Sequence, residues 1–275
     1  MSGGRLQGFA AARIALLAGL ALAMTLASPV TAHAQPRQDT SRGGNNAGDD
    51  ETQRRARTRL ELASAYYAEG RLDTALEEIK RALASSPDLP QALNLRALIY
   101  SALGDDPQAE ESFKRALGVA SADGDVLHNY GWFLCQRNRH AEADVMFQRT
   151  LALQQYRTPR RTLLVQGICE ARSGRLELAE QTLKRAYEID AANPATAMNL
   201  SDVLYRRGEH ERARFYVRRV NNNAELRNAE SLWLAARIEN RLGNAQGVRD
   251  LGNQLRSSYP QSREASAFER GGFDE

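Results

Sequence analysis

Residues 61–87 read ELASAYYAEGRLDTALEEIKRALASSP, and thirty-four residues later the same spacing returns, with Gly70, Ala75 and Ala82 matched by Gly104, Ala109 and Ala116. Such a period, with small residues, aromatics and a late proline at fixed offsets, describes a repeated helix-turn-helix hairpin. The physical requirement is close approach. Where two antiparallel helices cross, a bulky side chain would hold the axes apart, so alanine or glycine stands there while leucines and aromatics fill the surrounding gaps. A single hairpin leaves one apolar face open, and stacking the hairpins covers it.

Working outward from this stretch, repeats are expected at 56–89, 90–123 and 124–157, then at 160–193, 194–227 and 229–262. Leu62, Ala63, Tyr66, Ile79 and Pro87 mark the first, and Leu93, Ala97, Tyr100 and Phe113 the second. Leu127, Tyr130, Gly131, Ala143 and Phe147 mark the third, and Leu163, Gly167, Gly174, Ala179 and Leu183 the fourth. The fifth keeps Leu200, Ser201, Leu204, Gly208 and Ala213, while the sixth keeps Leu232, Ala236, Gly243, Leu255 and Pro260 but puts Val248 at the small site. A degenerate last copy is what a terminal cap requires. Thr158 and Pro159 are extra residues between the third and fourth copies and predict a wider turn there. The expected fold is therefore all-α, a right-handed tetratricopeptide-repeat (TPR) superhelix of about six repeats with a concave groove.

Ahead of the repeats stand Arg5 and Arg13, an acid-free apolar run from Ile14 to Ala27, and Ala32-His33-Ala34. A basic start, a short apolar run and an A-x-A site read as an export signal over 1–34, cleaved after Ala34, with an uncleaved anchor as the alternative. No cysteine follows the apolar run, so no lipid anchor is expected. Residues 35–53 are rich in Pro, Arg, Asn, Gly, Asp and Ser, and are expected to form a disordered linker. Residues 263–275 are expected to fray as a tail around a short helix. The formal charge of +3 includes Arg5 and Arg13, leaving a mature chain near +1. That balance implies no nucleic-acid partner.

No phosphate-binding loop, H-E-x-x-H, G-x-S-x-G or C-x-x-C motif is present, and His33, His128, His140 and His210 are scattered without ligand spacing. Neither catalysis, a metal nor a cofactor is expected. Cys135 and Cys169 lie in the second half of the first helix of the adjacent third and fourth repeats. In an oxidising periplasm they can form a disulfide if their Cβ atoms come into range; the alternative is two buried thiols serving as small hydrophobes.

The first helix of each TPR hairpin lines the concave face. Its inward positions hold Tyr67, Asn94, Trp132, Arg161, Arg172, Tyr205, Arg206, Trp233, Arg237 and Arg241, the expected partner-binding groove. Aromatics and arginines are common recognition anchors, and guanidinium forks hold carboxylates bidentately. An extended peptide or helix with apolar and acidic groups would fit. The alternative for Trp132 and Trp233 is that they fill gaps between repeats.

The stretch Asn129-Tyr130-Gly131-Trp132-Phe133-Leu134-Cys135 departs from a generic repeat and resembles the PilF/PilW family of type IV pilus biogenesis proteins. The resemblance continues through Asp202-Val203-Leu204-Tyr205, Ala213-Arg214 and Leu255-Arg256-Ser257-Ser258-Tyr259-Pro260. It implies a non-enzymatic periplasmic pilotin that assists outer-membrane localisation and multimerisation of the pilus secretin, and so supports pilus assembly and twitching motility. It also implies that Cys135 and Cys169 correspond to the disulfide some relatives carry between the third and fourth repeats. Family members usually bear a lipobox cysteine, which this sequence lacks, so any outer-membrane association would run through a partner. The other reading is a general periplasmic TPR scaffold organising other envelope proteins, since repeats alone specify a platform and leave the cargo open.

Overall fold

The computed structural model describes residues 43–273; the expected signal at 1–34 and residues 35–42 lie outside them. The compact unit that carries the repeats begins at Asn45. In chain order its helices are α1 (Gly43–Ala68), α2 (Leu72–Ser85), α3 (Pro90–Leu103), α4 (Asp106–Val119), α5 (Gly124–Gln136) and α6 (His140–Ala152). There follow α7 (Pro159–Arg172), α8 (Leu176–Ile189), α9 (Pro194–Arg206), α10 (His210–Asn221), α11 (Ala229–Arg241), α12 (Ala245–Ser258) and α13 (Arg263–Glu269). The first twelve make six hairpins, and no strand occurs among the described residues.

Local chemistry sets the helix ends. Pro90, Pro159 and Pro194 each open a helix, where the missing N–H costs nothing. Asn228 and Ser231 form a reciprocal capping box at the start of α11, with bonds of 2.9 and 3.0 Å. Gly104 ends α3 at φ 80°, while the third hairpin turns at Asn138 with φ 59°, the sole positive φ outside glycine among the described residues. Asparagine tolerates this left-handed conformation better than most residues.

The crossings explain the small residues. A Cβ added at Gly131 would lie 2.7 Å from the Phe147 ring, and one at Gly167 would lie 2.5 Å from Leu183 Cγ. In the fifth hairpin Ser201 fits the same place by donating its hydroxyl to the Ala213 carbonyl at 2.9 Å.

From α3 onward the backbone of each odd-numbered helix approaches that of the next odd-numbered helix, whereas among the described residues even-numbered helices meet through side chains alone, as where Tyr187 on α8 packs edge-on against Tyr216 on α10. Neighbouring hairpins thus converge on the side of the first helices, which is the concave side of the superhelix. On the outer side, arginines near the turns of the third, fourth and fifth hairpins grip an acid of the preceding hairpin. Arg139 donates to Glu110 at 2.7 Å and Arg175 to Asp144 at 2.6 Å, and Arg137 and Arg207 contact Asp106 and Glu180 in the same manner. The Arg139 hydrogen bond holds the Glu110 carboxyl down at about 2, helped by Lys114 and Tyr130.

The core falls into two main clusters. One runs from Ala63 to Phe147 and includes Cys135 and Cys169; the other runs from Ala171 to Ile238. The boundary between them falls within α7, whose Cys169 belongs to the first cluster and whose Ala171 belongs to the second. The joint between the third and fourth hairpins is crossed by the Cys135–Cys169 disulfide, with Cα atoms 5.8 Å apart. It is also crossed by a buried polar chain in which Thr162 Oγ1 lies 2.8 Å from both His128 Nδ1 and Tyr156 Oη.

Two expectations about the ends need correction. Residues 43–53 of the expected disordered linker are helical and continue α1. Once Ala56 and Ala63 are buried, each further residue extends an existing helix, and the pairing of Glu51 with Arg55 one turn on supports it. The tail from 263 to 273 does not fray. Gly252 leaves a recess for the Phe268 ring, Ala265 is buried, and Phe268 and Phe273 both pack on Trp233.

Candidate partner-binding groove

The ten expected groove residues separate into regions along the concave face. Toward the middle, Asn94 on α3 accepts from Asn129 Nδ2 at 3.3 Å, and Asn129 Oδ1 on α5 accepts from Arg161 on α7 at 3.2 Å. Arg161 also lies 3.8 Å from Asp125. Three first helices are therefore joined by one polar ladder, in which Asn129 and Asp125 were not anticipated. A cavity of about 880 Å³ opens beside it at the wide turn, bordered by Asp125, Tyr156 and Arg161.

Tyr67 and Trp132 are half-buried against the first core cluster, so at least part of each ring fills space between hairpins. Arg172 stands exposed at the end of α7. Arg206 is partly structural: it donates to the Ala171 carbonyl at 3.0 Å and lies 3.7 Å from Asp202. Burial pushes the Asp202 carboxyl up, opposed by Arg206 and Arg237.

The remaining four, Tyr205, Trp233, Arg237 and Arg241, converge, but Tyr205 is only 8% exposed and belongs to the second core cluster, so contrary to expectation it backs the groove and does not line it. The Arg237 guanidinium lies 4.7 Å from the centre of the Tyr205 ring, and Arg241 Nε donates to Tyr205 Oη at 3.5 Å. Aromatic face and cation attract one another electrostatically, so the two arginines stiffen the tyrosine and share its surface. A cavity of about 270 Å³ opens next to them, bordered by Met198, Asp202, Trp233, Arg237 and Glu264. The residues missed here are Asp202, Phe268 and Phe273. The last two belong to the tail, beyond the repeat period that located the rest.

This surface offers aromatic faces, guanidinium forks and amide groups along a row of helices, the materials of peptide recognition. Among the described residues, the cluster with metal-ligand atoms is Cys135, His140 and Cys169, and there both sulfurs are engaged in the disulfide.

Comparison with known proteins places these features in a family. The family model described as tetratricopeptide repeat matches residues 60–126 and 134–194. The type IV pilus assembly protein PilF of Pseudomonas aeruginosa is 26% identical over 251 residues, spanning 90% of this chain and 95% of PilF. The crystal structure of PilW, a widely conserved type IV pilus biogenesis factor, superposes with TM-score 0.73 at 33% identity, covering 77% of this chain and 97% of PilW. A Pseudomonas aeruginosa PilF structure shares the fold with TM-score 0.70 at 24% identity, covering 82% of this chain and 99% of that one. With the fold and most of both chains' length shared, the chain belongs to the PilF/PilW family of tetratricopeptide-repeat type IV pilus biogenesis proteins.

Proposed function

We propose that this protein acts by binding, as a pilotin that captures a segment of the pilus secretin and assists its localisation and multimerisation at the outer membrane. The carrying observation is the concave face. The Asn94–Asn129–Arg161 ladder and the cluster of Tyr205, Trp233, Arg237 and Arg241 lie on the same rank of first helices, which suits a long peptide segment. A stacked array is stiff enough to hold such a segment extended and to mask surface that would otherwise aggregate. In this reading the chain is exported on its Ile14–Ala27 apolar run and matures by cleavage after Ala34 into a periplasmic protein, reaching the outer membrane through its partner. Among the described residues no helix is long and apolar enough to cross a membrane.

A deletion strain tests the proposal. Secretin multimers in outer-membrane fractions, surface pili and twitching are expected to fall together and to return on complementation. Normal multimers and normal twitching would eliminate the pilotin reading and leave a general periplasmic scaffold, whose partner an envelope pull-down would then identify. Mass spectrometry of the exported chain is expected to find Gln35 at the amino terminus; a chain beginning near Met1 would exclude cleavage. Charge reversal at exposed Arg172 is expected to weaken capture while leaving helicity unchanged. Arg206 is the poorer probe, since Arg206→Glu also removes its bond to the Ala171 carbonyl.

A further inference from the structure

The chain ends by folding back onto its own groove. Helix α13 stops in a Schellman arrangement: the Gly271 N–H donates to the Phe268 carbonyl and the Gly272 N–H to the Ala267 carbonyl, both at 3.0 Å, with Gly271 at φ 68°. This reversal returns Phe273 to Trp233, with ring centroids 5.2 Å apart. The Phe273 carbonyl accepts from Tyr205 Oη and from Arg237 Nε, each at 3.4 Å. Capping the array needs only Phe268, whose ring occupies the recess at Gly252. Phe273 does something else. Its side chain enters an aromatic slot while its main chain is held by polar groups of the groove, which is how a separate peptide would be held. The sequence then continues with Asp274 and Glu275, and the surrounding helices carry Arg206, Arg237 and Arg241.

We infer that residues 271–273 are a built-in ligand, and that the groove of the last two hairpins takes a partner segment of the same sequence chemistry: an aromatic side chain followed directly by acidic residues. The inference rests on the concave face being the capture surface and gives that surface a ligand class. A partner must displace Phe273 before it can bind. A short tether gives the tail an effective concentration of about millimolar, so a single weak segment is excluded and a tighter or multivalent one is admitted.

The probe is a fluorescein-labelled Gly-Gly-Phe-Asp-Glu peptide, titrated by anisotropy into the full chain and its Phe273→Ala variant. Binding to the variant is expected to be saturable and at least about fivefold tighter than to the wild type, because the competing tail is gone. A peptide with alanine in place of phenylalanine should not bind, and adding Trp233→Ala should abolish binding. Equal affinity for both chains, or no saturable binding to a Phe273→Ala chain of wild-type helicity, overturns the inference. Should Phe273→Ala lose helicity, a chain ending at Gly272 serves, and the same outcomes decide. Wild-type dimers in sedimentation that vanish with Phe273→Ala would place the tail in a second copy and overturn the arrangement within one chain. The deletion strain keeps this result separate: tight peptide binding with normal secretin multimers would sink the pilotin reading and leave the built-in ligand standing.

Discussion

At Gly131 two opposing effects can be weighed. Alanine in a helix interior is favoured over glycine by up to ~1 kcal/mol. The new methyl group, however, would lie 2.7 Å from the ring of Phe147, which is fully buried and cannot swing away. Overpacking of this kind costs about 1–3 kcal/mol, so Gly131→Ala is expected to lower stability. Gly118 supplies the control, because an added Cβ there meets nothing within 4 Å, and Gly118→Ala is expected to raise stability by under ~1 kcal/mol. Urea denaturation of both variants checks the pair, and equal shifts of the same sign would refute the steric account. Asn138 makes the complementary case for backbone conformation. At φ 59° Asn138→Gly is expected to be tolerated and Asn138→Val to cost roughly 1–2 kcal/mol in the same assay.

At the scale of elements, the joint between the third and fourth hairpins carries a wider turn and is braced by covalent and polar means. The disulfide closes a sequence separation of 34 residues, for which loop-closure entropy gives about 3–4 kcal/mol. Both sulfurs belong to the first core cluster and tie α5 to α7, so reduction is expected to lower the denaturation midpoint; an unchanged midpoint would show that packing alone holds the two helices together. His128 braces the same place. It is 2 % exposed, and burial with the charge of Arg161 nearby pulls its pKa from 6.5 down to about 4. A lowered folded pKa means that the unfolded chain takes up the proton first, so stability is complete above pH 6.5 and drains away toward pH 4, by about 3 kcal/mol at most. Denaturation of wild type and His128→Gln at pH 7 and 4.5 is expected to show a smaller pH dependence in the variant, and parallel losses would exclude His128 as the source. The period exposed the hairpins and the small residues at their crossings, because close approach leaves so few choices at Ala97, Gly131, Gly167 and Ser201. It could not expose the turn at Asn138, where asparagine replaces the usual glycine. Nor could it expose the Arg139–Glu110 and Arg175–Asp144 pairs, since arginines and acids are common at exposed helix positions and only the stacking angle brings them together.

For the whole molecule, a repeat array has stability that is close to a sum over hairpins and the interfaces between neighbours, so its two ends decide how far it stays folded. Among the expected groove residues of the inner repeats, position within the period put Asn94 and Arg161 on one face, where Asn129 links them, but it did not foretell that Tyr67 and Trp132 are half-buried between hairpins. Those at the carboxyl end were half legible: Trp233 and Tyr205 lie on the period, while Phe268 and Phe273 follow no repeat and are placed by tertiary packing alone. Helix α13 covers the open side of the last hairpin through the cluster of Leu232, Leu255 and Ala265, with Phe268 against it. Phe268→Ala removes a half-buried ring, worth about 1–2 kcal/mol, and uncovers the neighbouring apolar side chains. That loss acts on the last interface and decays inward, so hydrogen exchange is expected to quicken in α11 and α12 while α3 to α6 keep their protection. Faster exchange spread evenly through all the hairpins would mean that the array unfolds as one cooperative unit and that α13 is not a local cap.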